Sequence, residues 1–180
     1  MKHHYLGIDN GLQGYLALLD EEGNFIEHWP TPTRQGQTKA GGIGYDPDGM
    51  VELLTTINKE YEGLIVIFEK THAFPIRGGK DSGKSMGSAK GNFNAGFGYG
   101  LWLMAIVALK LRFRQVSSQM WQNRCGVREA QGATSKDRSV NAALRRWPGV
   151  DLRKNARCRK LLDGKSDSLW LAEFGRRYET

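Results

Sequence analysis

Two kinds of apolar run alternate along the chain. Short runs at 4–9, 15–19 and 25–29 are separated by turn clusters at Asn10-Gly11 and at Asp20-Glu21-Glu22-Gly23-Asn24. This spacing predicts an antiparallel three-strand meander. Residues 64–68 (Leu-Ile-Val-Ile-Phe) are apolar at every position, the pattern of a central strand covered on both faces. A further strand is predicted at 113–116. The longer segments carry helical periodicity. Asp46-Pro47 opens a helix whose stripe is Met50, Leu53, Leu54, Ile57 and Tyr61, closed by Gly63. Ser117/Ser118 caps a short segment at 119–124. Thr134 with Asp137 forms a capping box ahead of Val140, Ala143, Leu144 and Trp147. A last helix carries Trp170, Leu171, Phe174 and Tyr178. The sum is one α/β domain over 1–180: a mixed five-stranded sheet, a meander plus parallel strands, flanked by helices.

Three segments depart from these patterns. Residues 31–45 are polar and Gly-rich and predict an exposed loop with no reason to pack. Residues 71–94 have no apolar periodicity. Lys70, Arg77, Lys80, Lys84 and Lys90 stand there among glycines, with Phe74 beside Pro75. Disorder and a basic flap ordered by a phosphate backbone both fit. The helix expected at 97–109 is apolar almost all round, more than one sheet face covers. Its residues Phe97, Leu101, Trp102 and Ala105 are therefore candidates for a dimer interface. Gly96, Gly98 and Gly100 would allow close approach at its start.

Charge changes this picture. Residues 1–69 hold four Lys/Arg against eleven Asp/Glu, whereas 70–180 hold twenty-two against eight. A basic half interleaved with aromatics and glycines suits a polyanion, nucleic acid before others. No apolar stretch reaches the length of a membrane span, and the N-terminus lacks a signal-peptide core. Cys125 and Cys158 have no metal-ligand spacing and read as reduced thiols. The expected location is cytoplasmic, in a bacterial or viral context, with an organelle matrix as the alternative.

The candidate chemistry sits where apolar runs stop at acids. Asp9 ends the first strand and Glu69 the buried one; as parallel neighbours they would lie side by side, where ligands bind in open α/β sheets. Asp163 and Asp167 share a helix face with Trp170, Leu171 and Phe174, which aims them at the same strand tips. Singly, Asp9 before Asn10-Gly11 is also turn chemistry, Glu69 also pairs with Lys70, and Asp163 also reads as a helix cap. Together, four acids repel unless cations join them. Hard oxygen donors suit Mg²⁺ or Mn²⁺, two per site, the arrangement used for in-line phosphoryl displacement.

Gly7-Ile8-Asp9, the hairpin, Ile67-Phe68-Glu69 and Asp163-Gly164-Lys165-Ser166-Asp167 resemble, in order and spacing, the ribonuclease H-like RuvC-type Holliday junction resolvases. Gly96-Phe97-Gly98-Tyr99-Gly100-Leu101-Trp102 and Ser135-Lys136-Asp137 are closer to the chloroplast-type branch. The resemblance implies a homodimer that nicks two strands of branched DNA at a four-way junction. It implies Asp9 bridging two metals, Glu69 and Asp167 as ligands, Asp163 as ligand or water-orienting group, and Lys136 near the scissile phosphate. DNA contacts are expected from the 70–90 segment and from Arg124, Lys136, Arg138, Arg157, Lys160 and Lys165. The last acid pair is spaced by four where the bacterial prototype has three, and the 31–45 loop is longer than the family pattern. Competing readings are a ribonuclease H-like nuclease on hybrids or flaps, an actin-like sugar kinase, whose second phosphate hairpin is missing, and a junction-binding protein without activity.

Overall fold

A computed structural model describes residues 2–36, 42–71 and 89–179. Its elements are β1 (His4–Ile8), β2 (Tyr15–Leu19), β3 (Phe25–Pro30), β4 (Thr33–Arg34), β5 (Gly44–Tyr45), α1 (Pro47–Glu60), β6 (Leu64–Glu69), α2 (Ala89–Ala108), β7 (Arg112–Val116), α3 (Ser118–Arg124), α4 (Ser135–Arg146) and α5 (Asp163–Tyr178). The main sheet has five strands in the order β3-β2-β1-β6-β7. β1, β2 and β3 pair antiparallel; β1, β6 and β7 pair parallel. The meander plus parallel strands expected from the patterning is the observed sheet.

Strand alternation splits the core in two. Leu6, Ile8, Val66 and Phe68 face α1 and α2; Tyr5, Ile65 and Ile67 face α3, α4 and α5. Asp9 and Glu69 continue the second parity and follow the paired residues Ile8 and Phe68. Both acids therefore leave the strand tips toward α5.

α5 lies directly on β1. A Cβ on Gly7 would sit inside van der Waals contact of the Ser168 carbonyl oxygen and 2.5 Å from the Ala172 nitrogen. α4 is fixed by the Thr134–Asp137 capping box, and Ser117 caps α3.

Three expectations need correction. α2 begins at Ala89, not near 97. Its Gly- and Asn-rich first turns have weak helix propensity, but Phe93 stacks on Phe97 (5.9 Å, 7°) and the Asn94 carbonyl accepts from Tyr45 Oη. The described parts of the expected 31–45 loop, 31–36 and 42–45, pack: β4 and β5 form a small antiparallel sheet, and Thr31 and Tyr45 are buried. Of the three helix-start glycines, only Gly98 is closely approached, by the Tyr45 ring. In addition, Asp46 stands at the N-cap of α1 but its side chain caps nothing; it faces Arg34 at 3.6 Å.

Gly7→Ala should separate α5 from β1 and cost about 3 kcal/mol, read as a lower urea midpoint at unchanged m-value. A variant as stable as the original would show that this contact does not set the α5–sheet distance.

Candidate active site

Asp9 heads the site. Its Oδ1 accepts a 3.3 Å bond from the Gly11 amide, and a Cβ on Gly164 would stand 2.8 Å from its Oδ2. Glycine at 164 therefore admits the Asp9 carboxylate against the first turn of α5. Asn10 ties the two strand tips: its Nδ2 donates to the Glu69 carbonyl (2.8 Å) and to Thr71 Oγ1 (3.1 Å). Trp121 Nε1 donates to Glu69 Oε2 at 3.0 Å, so α3 holds this carboxylate. Ser139 Oγ donates to Asp167 Oδ1 at 2.5 Å. Asp163 opens α5 but does not cap it; the N-cap is Leu162. The Asp163 carboxylate instead meets Lys136 Nζ at 2.5 Å.

Asp9, Lys136, Asp163 and Asp167 line one cleft of about 680 Å³. Glu69 lies behind it, close enough to bear on Asp9 and Asp167 electrostatically. Burial pushes the Asp9 carboxyl up to about 6, with the charges of Glu69 and Asp163 adding to it and the Gly11 amide and Lys136 opposing. Burial and the charge of Asp9 also raise Asp167, against the Ser139 hydrogen bond. The hydrogen bond to Asp163 raises the Lys136 ammonium. A desolvated set of hard oxygen donors with so little compensation fits a divalent cation. Among the described residues, no three His, Cys, Asp or Glu side chains already stand in closed ligand geometry.

The basic residues expected to meet DNA divide. Lys136 and Lys160 line the cleft, and so does Lys154, one of five Lys/Arg between 153 and 160 that charge density alone does not tell apart. Lys70, Lys90, Arg138 and Arg157 are exposed at least in part. Lys165 lies outside the cleft lining: its Nζ donates to the Asp151 and Arg153 carbonyls (3.1 and 2.8 Å) and lies 5.4 Å from the Tyr15 ring centroid, so it clamps the loop that carries Lys154 and Lys160. Arg124 stands apart from the cleft: its guanidinium covers Tyr178, at the far end of α5 from Asp163. Phe74, Arg77, Lys80 and Lys84 lie outside the described residues. Trp102 and Ala105, expected at an interface, are buried in this chain's own core (0% and 5% exposed), while Leu101 is partly buried. The outward face of α2 carries Phe93, Phe97, Met104 and Val107. Cys125 is a buried thiol, pushed up to about 12 by burial.

Because the folded protein holds the Asp9 proton more tightly than an unfolded chain would, ionising Asp9 costs stability. That cost is small below pH 4, builds as pH rises from about 4 to about 6 and is complete above pH 7. Asp9→Asn should therefore stabilise the metal-free protein by about 1–3 kcal/mol at pH 8 and change it little at pH 4. Urea unfolding in EDTA at the two pH values measures this; an equal effect at both would contradict the buried-charge account.

No protein-family model matches the sequence, and no curated protein matches it. Solved structures do. The chain is similar to T. thermophilus RuvC in complex with a Holliday junction substrate, with a TM-score of 0.56 at 15% identity, over 99% of this chain and 97% of that one. It is also similar to a second structure of Thermus thermophilus RuvC, with a TM-score of 0.52 at 13% identity, over 98% and 97%. At these identities the likeness concerns the fold, and the mixed sheet with its flanking helices is the RuvC, ribonuclease H-like fold.

Proposed function

We propose that this chain is a divalent-metal-dependent endonuclease that resolves four-way DNA junctions as a homodimer. One observation carries the reading: carboxylates from the tip of β1 and the head of α5, with Asp9 and Asp167 undercompensated, meet at a cleft that also holds three lysines, and Glu69 on the adjacent parallel strand tip adds its charge to theirs. The neighbouring RuvC structure that contains a junction supports the substrate class. The chloroplast-type affinity rests on the Gly96–Trp102 and Ser135–Asp137 motifs alone.

In this reading Asp9, Glu69 and Asp167 hold Mg²⁺ or Mn²⁺, with Asp163 as a further ligand or a group that orients water. The bound metal supplies Lewis-acid stabilisation of the phosphodiester and an activated water. The chain's own residues do the positioning. Gly11 N–H, Trp121 and Ser139 fix the three carboxylates, so they need no rearrangement of their supports when charge develops. Lys136, 72% exposed at its side chain, turns from Asp163 to a phosphate oxygen and neutralises it. Lys154 and Lys160 hold the neighbouring backbone.

The outward stripe of α2 is the surface we assign to the second protomer. Phe93, Phe97 and Met104 are 69%, 48% and 64% exposed, and they repeat at helical spacing on one side.

With Mg²⁺, a synthetic mobile junction should be nicked in paired strands, and linear duplex, flaps and RNA–DNA hybrids should be cut far less. Asp9→Asn should lower the rate by about 10³-fold or more with binding changed only a few-fold. Equal cutting of the whole panel would overturn the resolvase reading. Phe97→Glu should shift the protein to monomer in sedimentation velocity and uncouple the two nicks; a wild-type monomer at micromolar concentration would overturn the dimer.

A further inference from the structure

The cleft beside Asp9 has two walls of different chemistry. One is cationic, made by Lys136 at the head of α4 and by Lys154 and Lys160. The loop that carries Lys154 and Lys160 is pinned. Arg153 and Leu161 form a β-bridge, the Leu162 amide donates to the Leu152 carbonyl (2.9 Å), and Lys165 clamps its entry. The other wall carries no charge. It consists of Leu12 from the β1–β2 hairpin, Pro30 and Thr31 at the end of β3, Thr33 of β4, and Ile43 just before β5.

This uncharged wall is built, not incidental. The Thr31 amide donates to the Gly14 carbonyl (2.9 Å), and the Asp46 amide donates to the Pro32 carbonyl (3.0 Å), closing the arm at both ends. Tyr45 is buried at its base, and its Oη donates to the carbonyl of Asn10, the residue after Asp9 (3.2 Å). Burial, with the charge of Asp9 behind it, pushes this phenol up to about 12, so it remains a donor at neutral pH. One feature of the wall has no structural use among the described residues: Ile43 leaves half its surface exposed to the cleft side.

We propose that the uncharged wall is a subsite for the nucleotide flanking the scissile phosphate. Its sugar and base pack on Leu12, Pro30 and Ile43, and the next phosphate rests on Lys154 and Lys160. The inference rests on the nuclease reading and adds to it a named wall that selects the nucleotide next to the cut. The ligand must be part anion and part apolar. A free phosphate would leave the Ile43 side empty, and a volume of about 680 Å³ lies within the range of about 300–1,000 Å³ that encloses small organic ligands. A nucleotide drawn out of its stack has both faces. Apolar contact with it adds discrimination that phosphate contacts cannot supply.

The test uses the full chain carrying Asp9→Asn, so that nothing is cut. A four-way junction is prepared with 2-aminopurine at each core position in turn. We expect one position, adjacent to the cut made by the wild-type protein, to brighten at least twofold on binding. Ile43→Ala in the same background should remove that rise while the junction Kd changes less than about threefold; Ile43→Leu should keep it. Ile43 is half exposed, so neither variant threatens folding. Lys154→Ala with Lys160→Ala should flatten the salt slope by about two. A rise that survives Ile43→Ala, or a bound junction in which no position responds, overturns the subsite and leaves the nuclease reading standing. A wild-type protein that binds no junction overturns the nuclease reading, and the subsite falls with it.

Discussion

The backbone-to-backbone contact between α5 and β1 at Gly7 is the constraint on which the rest depends. Any side chain at position 7 would meet the Ser168 carbonyl and the Ala172 amide. Because the helix lies this close, its first turn reaches the tip of β1, where Gly164 makes room for the Asp9 carboxylate. Neither glycine is needed for an unusual backbone conformation; both are needed for proximity. Fold and site thus share one interface. The same contact that buries Leu169, Leu171 and Phe174 against the sheet delivers Asp163 and Asp167 to Asp9.

The two ends of α5 show how differently the chain treats buried acids. Glu173 is fully buried, yet Arg176 and Arg177 hydrogen-bond it at 2.7–2.9 Å and Arg146 stands 3.8 Å away. Burial alone would raise its carboxyl; the two hydrogen-bonded arginines bring it below the usual range. Fewer than two turns earlier, among the described residues, Asp167 has one hydroxyl donor and Asp9, on the strand it faces, one amide, and both are raised. The fold therefore has the means to neutralise a buried acid and does not use them at the cleft. Lys136 is the partial exception, and it is held by a mostly exposed side chain that can leave. Undercompensated charge at one end and full compensation at the other supports the proposed cation site over an account by poor packing.

How much of this was legible in the chain follows from what each pattern encodes. The run 64–68 reads as a two-sided buried strand because no polar residue interrupts it, and an acid at its end has to emerge at the sheet margin. The capping box at Thr134 is a local rule and holds locally. What failed was non-local. An all-round apolar helix does not say which side is inside, so Trp102 was expected at a partner and lies in the core, whereas Phe93, in a segment without periodicity, lies outside on α2. Tyr45 sits in a polar stretch, and only its distant partners Asn10 and Gly98 explain its burial. Lys165, expected at DNA, has its ammonium on two backbone carbonyls, whereas Lys154, not among the expected contacts, lines the cleft, a difference decided by tertiary geometry.

The arm, the cleft and the outer face of α2 are joined by aromatic contacts. Tyr45 donates to the Asn10 carbonyl beside Asp9, its ring meets Phe97 edge-on at 6.0 Å, and Phe97 stacks on Phe93. Phe93 and Phe97 are also the most exposed rings on the face assigned to a second protomer. A partner seated there covers the side chains that brace the base of the arm. Association and the shape of the uncharged wall thus draw on the same three rings, and the last turn of that chain of contacts ends one residue from the central carboxylate. Packed aromatic rings transmit a displacement because they have little free volume to absorb it. On the proposed readings, assembly and selection of the nucleotide at the cut would both draw on this one packing arrangement.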